Sequence, residues 1–148
     1  MSINMTNITE AMRAQLQADA TIAGFLVVDV ERGTVINEDP NRTPWLGVYR
    51  GKQEYVPRTL GSMNNWEVTP TIRLVLREAS AEHATAVEDQ MESHVQAVIN
   101  AVLTDETIGG TVDMVTGFTV EYGYSEDDRS MMYFQTAIIE VSVEVATS

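Results

Sequence analysis

Cysteine is missing altogether from this 148-residue chain. Disulfide staples and cysteine-ligated zinc are excluded at once, so stability has to come from burial and hydrogen bonding. Histidine is nearly missing, His83 and His94 being the only two. Placed on one helix they lie about 16 Å apart, too far to share a metal within one chain. No run of about 18 apolar residues exists, so no transmembrane helix is expected and no membrane partner. The opening MSINMTNITEAMRAQ has neither a basic leader nor an apolar signal core, which predicts synthesis and folding in a cytoplasm.

Basic residues are scarce: nine Lys and Arg face 22 Asp and Glu, a formal net charge of −13. The imbalance is local. Up to Arg77, eight acids meet eight bases; from Glu78 onward, fourteen acids meet Arg129 alone. Within the neutral half, the stretch from Asn41 to Gly61 sets Arg42, Arg50, Lys52 and Arg58 against Glu54 only. An acidic half and a basic loop on one chain suit a head-to-tail contact between identical copies. Ordinary solvated faces that keep the protein soluble explain the same charges. Coating of nucleic acid, which needs a net positive surface, fits poorly.

What is present is organised around Ser80 to Val112. Ala84, Val87, Met91, Val95, Val98 and Val102 recur every three or four residues, the stripe of an amphipathic helix. Ser80 is the expected N-cap, and the helix should be about 36 Å long. Gly109-Gly110 is the expected turn after it, needing positive φ. No Lys-Ser/Thr follows to make that pair a phosphate loop.

The remaining chain supplies a sheet for this helix to cross. Asn7 to Ala20 reads as a shorter N-terminal helix with Asn7 and Glu10 as a capping box. Phe25 to Val30 and Trp45 to Tyr49 read as short strands. Gly51 to Asn65 reads as a long loop, and Trp66 to Arg77 as a strand in which Pro70 marks a bulge or edge. Val112 to Tyr122 and Met131 to Val145 read as strands, with Gly117 a kink and Gly123 to Ser130 a polar connection. The fold class is α+β: a mostly antiparallel β-sheet with the long amphipathic helix on one face and a shorter N-terminal helix, in a single domain spanning 1–148.

No catalytic set emerges, so no enzyme, cofactor or metal is expected. Glu126-Asp127-Asp128 lacks the spacing and closing Glu of a calcium loop. There is no Gly-x-Ser-x-Gly elbow. The candidate contacts are instead aromatics beside charges, the composition of interface hot spots. Trp45, Tyr49, Arg50, Lys52, Tyr55 and Arg58 gather around the basic loop, and Tyr124, Glu126, Asp127 and Asp128 at the acidic hairpin. Tyr55 and Tyr124 lead, because turns would hold them outside the strand pattern.

Two runs then resemble a known family. Pro44-Trp45-Leu46-Gly47-Val48-Tyr49 stands in a P-x-x-x-V position after the first helix and short strand. Ala101 to Val112, ending Ile108-Gly109-Gly110-Thr111-Val112, is close to an L-x-x-D-x-x-L-x-G-x-V run. Followed by a C-terminal hairpin of alternating apolar residues, this resembles the tail terminator (tail-completion, minor tail) proteins of long-tailed bacteriophages. The resemblance implies a homo-oligomeric ring, usually six-fold, at the head-proximal end of a tail tube. Its partners would be tail tube protein and the head–tail connector or stopper, with genomic DNA passing through the lumen unbound. It implies a place in the virion at the tail–head junction after assembly in the host cytoplasm. Head–tail adaptor and completion proteins look alike at this level. An acidic DNA-mimic binding protein and a small α+β enzyme are the rival classes.

Overall fold

The computed structural model describes residues 3–57, 66–80, 84–127 and 131–145. Helices α1 (Met5–Ala18), α2 (Ala20–Phe25) and α3 (Ala84–Leu103) pack with strands β1 (Glu31–Arg32), β2 (Trp45–Pro57), β3 (Trp66–Ser80), β4 (Met114–Asp127) and β5 (Met132–Glu144). The strand order is β1-β2-β3-β5-β4. Among the described residues, only the two-residue β1 is parallel to its neighbour; the other pairs are antiparallel. The α+β class with a largely antiparallel sheet is as expected.

Strand alternation decides the faces. Leu46, Val48, Ile72, Leu74, Leu76, Ala137, Ile139, Val141 and Val143 point to one side and are buried there against Ile8, Met12 and Leu16 of α1 and Met91, Val95, Val98 and Val102 of α3. The apolar stripe read from α3 is the stripe it buries, wherever its side chains are described. The helix begins at Ala84 rather than at a Ser80 cap, because Ser80 is the last residue of β3, paired with Tyr133.

Several boundaries moved for local reasons. The α1 cap is Asn4, whose side chain accepts from Asn7 N at 3.1 Å. Buried Met5 extends the apolar stripe of Ile8, Met12 and Leu16 to a point before the Asn7–Glu10 box. Phe25 opens no strand. Asp19 accepts from Ile22 N at 3.0 Å and starts α2 instead, with Ile22 fully buried. Only Phe25 of the expected strand is helical; Leu26–Val30 are neither helix nor strand, and Val30 N donates to Gln17 Oε1 at 2.7 Å rather than to a ladder.

The expected loop from Gly51 begins as strand: β2 continues to Pro57. A bulge between Arg50 and Gln53 absorbs an extra residue, and Lys52 N donates to Thr71 Oγ1 at 2.6 Å. The rest of that expected loop, 58–65, lies outside the described residues. β4 likewise runs on through the expected polar connection to Asp127. The Gly117 kink is a register shift between Val115 and Gly117. Pro70 lies beyond the last β3–β5 pair, Thr71–Ser142, so its missing donor costs no ladder bond on that side. Gly109 and Gly110 have φ of +65° and +79°, as a turn of that kind demands.

Candidate interaction surface

β5 reaches only as far as Thr71 along β3, while β2 and β3 remain paired to Pro57–Trp66. Gln53–Pro57 and Trp66–Pro70 therefore form a two-stranded arm projecting past the sheet. The β4–β5 hairpin turns at the other end, where Asp127 pairs with Met132 and Ser80 with Tyr133. Fifteen residues of β3 join the two ends, about 50 Å of extended chain.

This geometry sorts the sequence candidates. Arg50, Lys52 and Tyr55 are exposed along β2 and the arm, and Arg50 Nη2 donates to Thr6 Oγ1 of α1 at 3.1 Å. Tyr124 and Glu126 are exposed at the opposite end. The Tyr124 ring stacks on Tyr133 with centroids 6.1 Å apart. Asp127 closes β4; Arg58 and Asp128 lie outside the described residues. Among the described residues, Arg50 and Lys52 do not meet Glu126 within the chain; the sheet holds the two ends apart.

Trp45 and Tyr49 belong to a different environment. They face the side of the sheet opposite the helices. Trp45 is completely buried there and Tyr49 half-buried. A Cβ at Gly47 would lie 2.6 Å from Trp45 Cη2 and 2.9 Å from Tyr49 Cε2, so the glycine makes room for both rings. The segment leading into β2 passes over this corner. Trp45 Nε1 donates to Glu31 Oε2 at 3.2 Å, Tyr49 Oη to Thr34 O at 2.6 Å, and Arg77 Nη1 to Asn37 O at 2.7 Å. Burial pushes the Glu31 carboxyl up, but donation from Thr34, Trp45 and Arg42 outweighs it and holds the group below its usual range. Beside it on this face, Arg73 binds Glu140 Oε1 through Nε and Nη2 at 3.0 and 2.7 Å. That hydrogen bonding and charge hold the Glu140 carboxyl low.

One polar group under the helices escaped the sequence reading. Glu78 is 2 % exposed and its Oε1 meets His94 Nδ1 of α3. The imidazole stacks on Phe25 at 3.9 Å between centroids. Burial raises the Glu78 carboxyl above its ordinary range, although His94 opposes this by charge and hydrogen bonding. The signal was available: Glu78 continues the Leu74, Leu76 alternation onto the core face. A cleft of about 620 Å³ between α2 and α3 is lined by Asp19, Asp89, Glu92, Gln96 and Asn100. These are surface side chains along its walls, not a buried convergent set. Among the described residues, no three His, Asp or Glu side chains come close enough to hold a metal ion.

No family model matches this chain, and no curated protein sequence does. Among solved structures, it is similar to a chain in the virion of a native gene transfer agent particle. That match has 12% identity over 92% of this chain and 93% of that one, with a TM-score of 0.42. Likeness at that level leaves function to be argued from the residues themselves.

Proposed function

We propose that this chain is a structural virion protein, one 1–148 domain that acts as a subunit of a tail-terminator-like ring. The observation carrying this reading is the placement of charge. Basic Arg50 and Lys52 sit towards the arm, and Tyr124 and Glu126 at the far end of the same sheet. A rigid body with complementary charges at separate places cannot satisfy them internally. It satisfies them by docking on the next copy, and a repeated heterologous contact closes into a ring when the rotation permits.

The resemblance carried by Pro44–Tyr49 and Ala101–Val112 supplies the role. The ring, six-fold in that family, ends tube polymerisation at the head-proximal end of a phage tail and meets the head connector. In that position carboxylates of the acidic half that lie outside the contact face the lumen, where they repel DNA phosphates and let the genome pass. An adaptor of the same neck region uses the same kind of contact, but binds the connector without limiting tube growth.

Light scattering across a concentration and salt series tests the assembly. A hexamer-sized species is expected, weakening as salt screens the contact. Mixing with the tail tube protein of the same particle then tests the role: a terminator caps growing tubes, whereas an adaptor leaves their length unchanged. A strict monomer, with or without tubes, refutes the ring and leaves the acidic DNA-mimic reading.

A further inference from the structure

Resting on the ring reading, we propose that the contact between copies is a continued β-sheet: the outer edge of β4 in one copy pairs antiparallel with the outer edge of β2 in the next. Both edges are open among the described residues. β4 has fourteen residues and ends the strand order. It contains no Pro and no Lys, the residues that commonly block an edge. β1 covers β2 only at Gly47 and Val48, which leaves Tyr49 to Pro57 with no strand on that side. Open edges of this length are templates for strand addition.

Charge selects the occupant. Exposed Glu121 and Glu126 on β4 disfavour pairing of β4 with another β4, where acid would face acid. Exposed Arg50 and Lys52 on β2 favour β4 with β2 of a second copy. Direction agrees, because β2 and β4 run antiparallel within the sheet. A neighbour carried round without inversion therefore presents β2 antiparallel to β4.

β1 fixes the register. In its own sheet Arg50 is level with Phe118, through Ile72 and Val141. Pairing at that level would drive the neighbour's β1 into β4. Sliding by eight residues, about 27 Å, sets Arg50 opposite Glu126 and carries Val48, with β1 behind it, past Asp127 at the end of β4. The β2 bulge then sets Gln53 opposite Tyr124 and Tyr55 opposite Tyr122. All six residues share the helix-bearing face of the sheet, so charge meets charge and ring meets ring.

The cysteine-free chain makes the test direct. Opposed cross-strand positions lie close enough for a disulfide. The double variant Gln53→Cys with Tyr124→Cys should give, on oxidation, a covalent ladder extending beyond dimer, while either single variant stops at dimer. Gln53→Cys with Val115→Cys, the pair for an unshifted sheet once the β4 bulge at Thr116 is counted, should give no ladder. A ladder from the Val115 pair alone overturns the staggered pairing. Ring-sized assemblies by light scattering that yield no ladder from either pair overturn edge pairing and leave the ring reading standing. Absence of any assembly removes both.

Discussion

Gln15 shows how one side chain ties two helices together. Its Nε2 donates to Ala101 O, Val102 O and Asp105 O at 3.1, 3.0 and 3.2 Å. These carbonyls lie in the last turn of α3 and just beyond it, where helix-end acceptors need outside donors; Ala101 O also accepts from Thr104 Oγ1 and Asp105 O from Ile108 N. Gln15→Leu removes the donor and should lower stability by about 1–3 kcal/mol, read from the urea midpoint. Gln15→Glu should cost more, because it sets an acceptor against acceptors. Glu78 makes a second residue-scale case. Its folded pKa is raised, so its contribution to stability is present below the unfolded pKa and is lost as pH rises through the folded one. Glu78→Gln keeps a polar partner for His94 without the buried charge. The variant should therefore gain on the wild type in urea melts as pH increases. A constant difference between pH 5 and 8 would contradict this.

At the scale of elements, the β2–β3 arm depends on its stem. At Gly51 a Cβ would lie 2.2 Å from Thr71 Oγ1 and 2.6 Å from Thr71 O. The second contact is backbone and cannot swing away. Gly51→Ala should separate the strands at the bulge, costing about 1–3 kcal/mol as an overpacked site does. The loss should be local: hydrogen exchange quickens at Gln53–Tyr55 and at Val68 and Thr69 while Leu74 and Ile139 stay protected. Loss of protection across the whole sheet would mean that the arm and core unfold together. The same scale explains where sequence reading of elements succeeded. Periodic stripes such as Val95, Val98 and Val102, or Ile139, Val141 and Val143, announce both the element and its buried face. Phe25–Val30 misled because its β-branched residues suit a strand, yet among the described residues no neighbouring strand pairs with it. Gln17, a side chain of α1 outside that run, takes the Val30 N–H instead.

For the whole molecule, the separation of charge makes a prediction of its own. Arg50→Glu, Lys52→Glu and Arg58→Glu together remove the attraction and add repulsion against an acidic neighbour. Self-association should weaken by about tenfold or more at low salt, with the difference shrinking as salt is added. Unchanged oligomer mass at low salt would detach the basic segment from the contact. The monomer's own stability should change little, since Arg50 and Lys52 are exposed.

Composition and periodicity alone determined the α+β class, the amphipathic α3, the Gly109-Gly110 turn and the division between a neutral and an acidic half, because each is a local property of neighbouring residues. The tertiary structure decided which candidates are surface and which are core. Trp45 reads in sequence like any aromatic beside a basic segment, yet it is buried under residues 31–43 because Gly47 leaves space for it and Glu31 accepts its N–H. It also decided that Arg50 and Glu126 stand towards opposite ends of one sheet. Their distance follows from strand order and register, which are set by pairing between residues far apart in the chain and leave no mark in any short stretch of it.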